Sequence, residues 1–176
     1  MAGQRLTDKT ALEEQAGSGD LLMVVDVNDT TGSASGTSKK MDFKYVIQTD
    51  KYSLNNTEVQ DLDTTSKTLV GALSGCMVMP LSVTMLCTYA AVPEASNKDL
   101  VFGWDDSQTI LYWDKGSRFM GAKSADASYV FTGNQPGGGV DAGSLINKPF
   151  KMWSSGAFAG GWSCDVYVTY AYTKVL

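Results

Sequence analysis

Residues 69–92 read LVGALSGCMVMPLSVTMLCTYAAV, a long apolar stretch whose side chains alternate in character. Leu81, Val83, Met85, Cys87 and Tyr89 fall on one side of the alternation, and Ser82, Thr84 and Thr88 on the other. A period of two residues puts one set on a core and the other in solvent, so the stretch reads as a strand with one buried face. Toward the C-terminus the same signal recurs in DLVFGW (99–104), TILYW (109–113), ASYVF (127–131) and KPFKMW (148–153). The run WSCDVYVTYAYTKVL (162–176) closes the series, with Cys164, Val166, Val168, Tyr170 and Tyr172 sharing a face. Asp105 to Gln108 makes a four-residue hairpin loop, and TGNQPGGGVDAG (132–143) a glycine-rich one. About six strands separated by turn signals in roughly 110 residues predict an all-β sandwich or barrel.

Toward the N-terminus the pattern weakens. Residues 49–68 are polar and turn-rich and read as a connector. Leu21 to Val27 forms a β-branched-rich strand, and Asp29 to Ser38 is a loop of small polar residues. Met41, Phe43, Tyr45 and Ile47 then alternate as a second strand would. Thr10 and Glu13 make a capping box for a short helix over Ala11 to Ala16, which Gly17 ends. A helix that short is marginal by itself and needs a surface to lie on. The chain is thus expected to divide into an N-terminal arm (1–48), a connector (49–68) and a β-sandwich domain (69–176).

Composition narrows the chemistry. A net charge of −5 in 176 residues speaks against nucleic acid as a partner. No run of about 18 apolar residues predicts a membrane span, and the opening residues lack the apolar core of a secretory signal. The absence of histidine removes Ser-His and Cys-His nucleophile activation and the commonest transition-metal ligand. Cys76 and Cys87 on one strand would lie about 35 Å apart, beyond disulfide reach. Cys87 and Cys164 are left able to pair, but free buried thiols are the expected state in a reducing compartment.

The short motifs fail on their spacing. Asp26-Val27-Asn28-Asp29 starts like a calcium loop, yet Thr31 and Thr37 stand where the glycine and the bidentate glutamate belong. Gly137 to Ala142 loosely resembles a dinucleotide fingerprint without a βαβ unit, and Gly32 to Gly36 has alanine at the nucleophile position. No cofactor and no metal are expected. One cluster merits a functional reading: Trp104, Asp105 and Asp106 with Trp113 and Asp114. Aromatic rings beside carboxylates suit a host glycan, and two carboxylates at the right separation could hydrolyse one. The prevailing expectation is simpler, with the aromatics in the core and the aspartates making the turn. No enzyme activity is expected.

LTDKTALEEQAGSGDLLMVVDVNDTTGSASGTSKKMDFKYVI (residues 6–47) resembles the N-terminal module of tailed-bacteriophage fibre and head-appendage proteins. The resemblance lies in Leu6-Thr7, the strand from Asp20 to Asp26, the Ser/Thr/Gly loop from Thr30 to Ser38, and the pair Lys39-Lys40. It implies a virion structural protein, a capsid decoration or short head-fibre appendage, assembled in the host cytoplasm. Leu6, Leu21, Leu22, Val24, Val25, Lys39 and Lys40 would then contact a major capsid, neck or tail protein. The alternative is a tail or fibre-tip module binding host surface glycans. The remaining domain is similar to the small jelly-roll sandwiches of phage structural proteins, with Met79-Pro80 leading into a long strand. That likeness implies a homotrimer. Tyr167, Tyr170 and Tyr172, spread over both faces of the terminal strand, mark the expected oligomer interface because a sandwich has one inner face per sheet.

Overall fold

A computed structural model describes residues 21–32, 34–42, 46–104, 111–115, 119–121, 123–132 and 142–174, with only the backbone at 21, 42, 111–115 and 142. The expected helix over Ala11 to Ala16, and Leu6, Phe43 and Tyr45, lie outside the described residues. Contacts group the chain into two compact units, Met1–Val46 and Ile47–Leu176.

In the first unit β1 (Leu21–Asp26) pairs antiparallel with β2 (Thr37–Asp42), from Leu21 opposite Asp42 to Asp26 opposite Thr37. β2 begins four residues earlier than the alternation of Met41 to Ile47 suggested. The loop between the strands is built, not merely solvated. Asp26 accepts the Asn28 amide at 3.0 Å, Asp29 accepts the Thr31 amide at 3.1 Å, and Gly32 donates to Thr37 Oγ1 at 3.0 Å. Gly36 closes the loop at φ +109°, where an added Cβ would meet the Asp26 carbonyl oxygen at 2.7 Å.

Among the described residues the second unit has eight strands in two four-stranded antiparallel sheets. They are β3 (Gln48–Leu54), β4 (Lys67–Val70), β5 (Cys76–Tyr89), β6 (Leu100–Gly103), β7 (Leu111–Lys115), β8 (Ala127–Thr132), β9 (Phe150–Ser154) and β10 (Trp162–Lys174). One sheet runs β3-β10-β5-β8 and the other β4-β9-β6-β7. Counted from β3, the orders are 1-8-3-6 and 2-7-4-5, the double Greek key of a jelly roll. The long strands β5 and β10 lie side by side as the two inner strands of their sheet, as a buried, strongly alternating pair should.

The structure corrects the expected connector. Residues 48–54 form a strand whose partner is β10, and α1 (Asn56–Gln60) with a 3-10 turn (Asp61–Asp63) follows. Asn55 and Glu58 make a reciprocal capping box, and Val59 and Leu62 enter the core. The stretch looks polar because β3 is an edge strand: Thr49, Lys51 and Ser53 face solvent while Gln48 and Leu54 are buried.

The core joins both sheets. Val78, Val83, Met85, Cys87, Val166 and Val168 face Leu69, Phe102, Phe150 and Met152. Phe102 of β6 meets Phe131 of β8 at 5.1 Å between ring centroids. At one end Phe119, Phe158 and Trp162 form an aromatic group with centroid separations of 5.2 to 5.9 Å.

Candidate functional site

The hairpin of the first unit holds most of the residues expected to make an attachment. Two strands cannot enclose a core, so its apolar side chains stay in solvent. Met23 is 67% exposed, Val25 57% and Val27 69%, and Leu22 is exposed beside them. Cross-strand register puts Leu22 and Val24 on one face, with Met41 and Lys39, and Met23 and Val25 on the other, with Lys40 and Ser38. Leu22, Met23, Ser38, Lys39 and Lys40 line an open groove of about 380 Å³. The Leu21 side chain is outside the described residues.

The two lysines differ. Lys39 turns back on its own hairpin, with Nζ 2.8 Å from Asp26 and 2.9 Å from Asp29. Hydrogen bonds from Thr31 and Lys39 hold the Asp29 carboxyl down at about 2, and the bond from Lys39 lowers that of Asp26. The carboxylates that open like a calcium loop thus neutralise an internal ammonium group. Among the described residues no three His, Cys, Asp or Glu side chains gather as a metal site. Lys40 is exposed on the opposite face of the strand.

Trp104 takes the core position of the simpler reading and leaves the possible glycan-binding set. It is only 6% exposed, packs edge-on to Phe150 at 5.8 Å, and donates its indole N–H to the Val78 carbonyl at 2.8 Å. A ring enclosed in this way has no face for a pyranose. Asp105 and Asp106 lie outside the described residues, as do the side chains of Trp113 and Asp114. The backbone places Trp113 opposite Phe102 and Asp114 opposite Val101 on β7.

The three tyrosines of β10 also separate. Tyr170 is 5% exposed on the inner face, its hydroxyl 2.8 Å from Gln48 Oε1 and 2.9 Å from Asp50 Oδ2. Tyr172 packs against it at 5.6 Å and donates to the Gly71 carbonyl. Tyr170 is a core residue, so the expectation that it faces a neighbouring copy is corrected, and Tyr172 is half-buried against the core. Tyr167 alone points outward, with Lys51 Nζ 5.7 Å from its ring. Around it the outer face of the β3-β10-β5-β8 sheet exposes Met79, Leu81, Leu86 and Val130.

One group escaped sequence reading. Glu94 is 4% exposed and no lysine is its partner among the described ion pairs. Its carboxylate accepts from the Ser96 amide at 2.8 Å, the Gly160 amide at 2.8 Å, the Ala159 amide at 3.2 Å and the Trp162 indole at 3.3 Å. It ties the β5–β6 loop to the segment entering β10. A glutamate after a proline in a loop gives no sequence signal for this, because its donors other than Ser96 lie about 65 residues away.

No protein-family model matches the chain, and no curated protein matches it. Among solved structures it is similar to a chain of the cyanophage Pam1 capsid asymmetric unit, at 15% identity over 97% of each chain, with a TM-score of 0.40. Likeness of that degree fixes no role for this chain.

Proposed function

We propose that this chain is a structural protein of a tailed-phage virion, a capsid decoration or short head-fibre appendage held to another virion protein by its N-terminal arm. The observation that carries the reading is the β1–β2 hairpin, which exposes Met23, Val25 and Val27 and has too few strands to bury them. Ordering a backbone costs about 1–2 kcal/mol per residue, and burial on a partner offsets it. The resemblance of residues 6–47 to phage attachment modules supplies the class of partner: a major capsid, neck or tail protein. The proposed location is the virion.

Self-association as a trimer belongs to the same proposal, now through the outer face of the β3-β10-β5-β8 sheet. Tyr167 with Met79, Leu81, Leu86 and Val130 forms an apolar outer surface of the kind that interfaces use.

Co-sedimentation with particles lacking the protein tests the attachment. Met23→Asp combined with Val25→Asp should cut particle occupancy at least tenfold, since each buries a carboxylate in the contact. The melting of the second unit should be unchanged. Undiminished binding by a chain without residues 1–46 would end the attachment reading.

A further inference from the structure

Cys87 and Cys164 are direct partners in the β5/β10 ladder, and both thiols are buried. Each alternates with inner-face residues, Val83 and Met85 on one strand and Val166 and Val168 on the other, so both point into the core. Directly opposed residues of an antiparallel pair have Cα atoms about 4.5–5.5 Å apart and Cβ atoms at a similar distance on the same side. A disulfide spans Cα separations of about 4.4–6.8 Å, and its Cβ atoms stand about 3.5–4.5 Å apart. The pair therefore needs an approach of about 1 Å or less. Cys76 sits opposite Lys174, eleven residues before Cys87 on the same strand, and reaches neither.

We infer that Cys87 and Cys164 form a cross-strand disulfide when the chain meets a thiol oxidant. The bridge staples together the two inner strands of the β3-β10-β5-β8 sheet. With a small disulfide such as oxidised glutathione, one cysteine displaces a glutathione and forms a mixed disulfide. The second cysteine then displaces the other glutathione. Two S–H bonds and one S–S bond are exchanged for the protein S–S bond and two reduced glutathiones, which carry off both protons and both electrons.

Burial sets the rate. It pushes the Cys87 thiol up to about 12 and that of Cys164 higher still, so thiolate is scarce in the folded sheet. The bridge forms when the strands open or while they assemble, and the same burial then shields it from reductants. A chain folded among reducing thiols would acquire the staple after leaving them. This inference stands on the register of β5 and β10 and is independent of the virion reading.

The test is refolding of the full chain from denaturant in a mixture of oxidised and reduced glutathione. Alkylation of the product after denaturation, followed by peptide mass analysis, identifies the bridge. The expected product has lost two mass units, joins Cys87 to Cys164, and has only Cys76 alkylated. Its Tm should rise by on the order of 5 °C, since the closed loop spans most of the domain. Cys76→Ser should behave identically, and Cys164→Ser should form no intramolecular bridge. The folded chain held with diamide for days should give the same product, so the answer does not depend on refolding. A natively melting product with three alkylatable thiols in both experiments, or any bridge that includes Cys76, overturns the inference.

Discussion

At Glu94 a charge is kept inside the protein with no cation beside it among the described ion pairs. Burial pushes its carboxyl up, but hydrogen bonds from Ser96, Gly160 and Ala159 outweigh that and hold it below the ordinary 4.5. A Cβ added to Gly160 would stand 2.9 Å from Glu94 Oε2 and 2.9 Å from the Trp162 ring, so the donors close on the carboxylate without slack. Glu94→Ala leaves several buried N–H groups without an acceptor, each costing about 1–3 kcal/mol. A loss of roughly 3 kcal/mol or more in urea unfolding is expected. The pH dependence has a definite sign. A carboxyl whose folded pKa lies below its unfolded one adds stability that is present above the unfolded value and is lost as pH falls through the folded one. The stability difference between wild type and Glu94→Gln should be constant above about pH 5 and shrink below it. A difference that instead grows on acidification would contradict this account.

At the scale of the element, β5 is decided by one extra residue. Its partner β10 keeps a single parity, with Trp162, Cys164, Val166, Val168 and Tyr170 all buried. On β5 the buried positions are Cys76, Val78 and Pro80, then Val83, Met85 and Cys87, so the parity switches within the strand. Register shows the cause: Thr169 is opposite Ser82 but Tyr170 is opposite Pro80, which leaves Leu81 unpaired in a bulge. Pro80 has no N–H for the ladder, and a bulge is where a proline can sit inside a sheet. Leu81, expected on the core face, is accordingly exposed. Deleting Leu81 would give β5 one parity and leave every inward side chain inward. That deletion should cost less than about 2 kcal/mol, whereas deleting Thr84 turns Met85 and Cys87 outward and should cost several kcal/mol. Thermal melts of the two deletions decide the matter; equal losses would refute the bulge account.

At the scale of the whole molecule, the stable unit is expected to start at about residue 47. β3 is zipped to β10 from Gln48 opposite Tyr170 to Leu54 opposite Cys164, so cleavage between residues 49 and 68 would have to strip a strand. Limited trypsin digestion should therefore cut at Lys39 or Lys40 and leave a fragment retaining Gln48 to Leu54. A resistant fragment beginning near Leu69 would restore the arm, connector and domain division instead. Light scattering tests the trimer at micromolar concentration. Leu86→Asp or Val130→Asp on the outer face should lower the mass to that of a monomer without changing Tm by more than about 2 °C. Tyr170→Asp should unfold the domain, because its side chain is core. A wild-type monomer would end the trimer proposal.

The alternation of Val83 to Cys87 and of Cys164 to Tyr172 is enough to specify an all-β chain with two long half-buried strands, because side-chain period and strand geometry are the same fact. The first strand of the hairpin, Leu21–Asp26, was also legible, since the β-branched Val24 and Val25 beside a polar loop have a local signature. Three things were not. The bulge at Leu81 exists only relative to β10, some 90 residues away. The strand at Gln48 to Leu54 looks like a linker because an edge strand shows half its residues to water. Tyr170 reads as an interface residue until the acceptors that bury it, Gln48 and Asp50, are seen beside it, and the Val78 carbonyl is what decides between the two readings of Trp104. Local periodicity depends on neighbours in sequence, whereas register, burial and hydrogen-bond partners depend on residues that only the folded chain brings together.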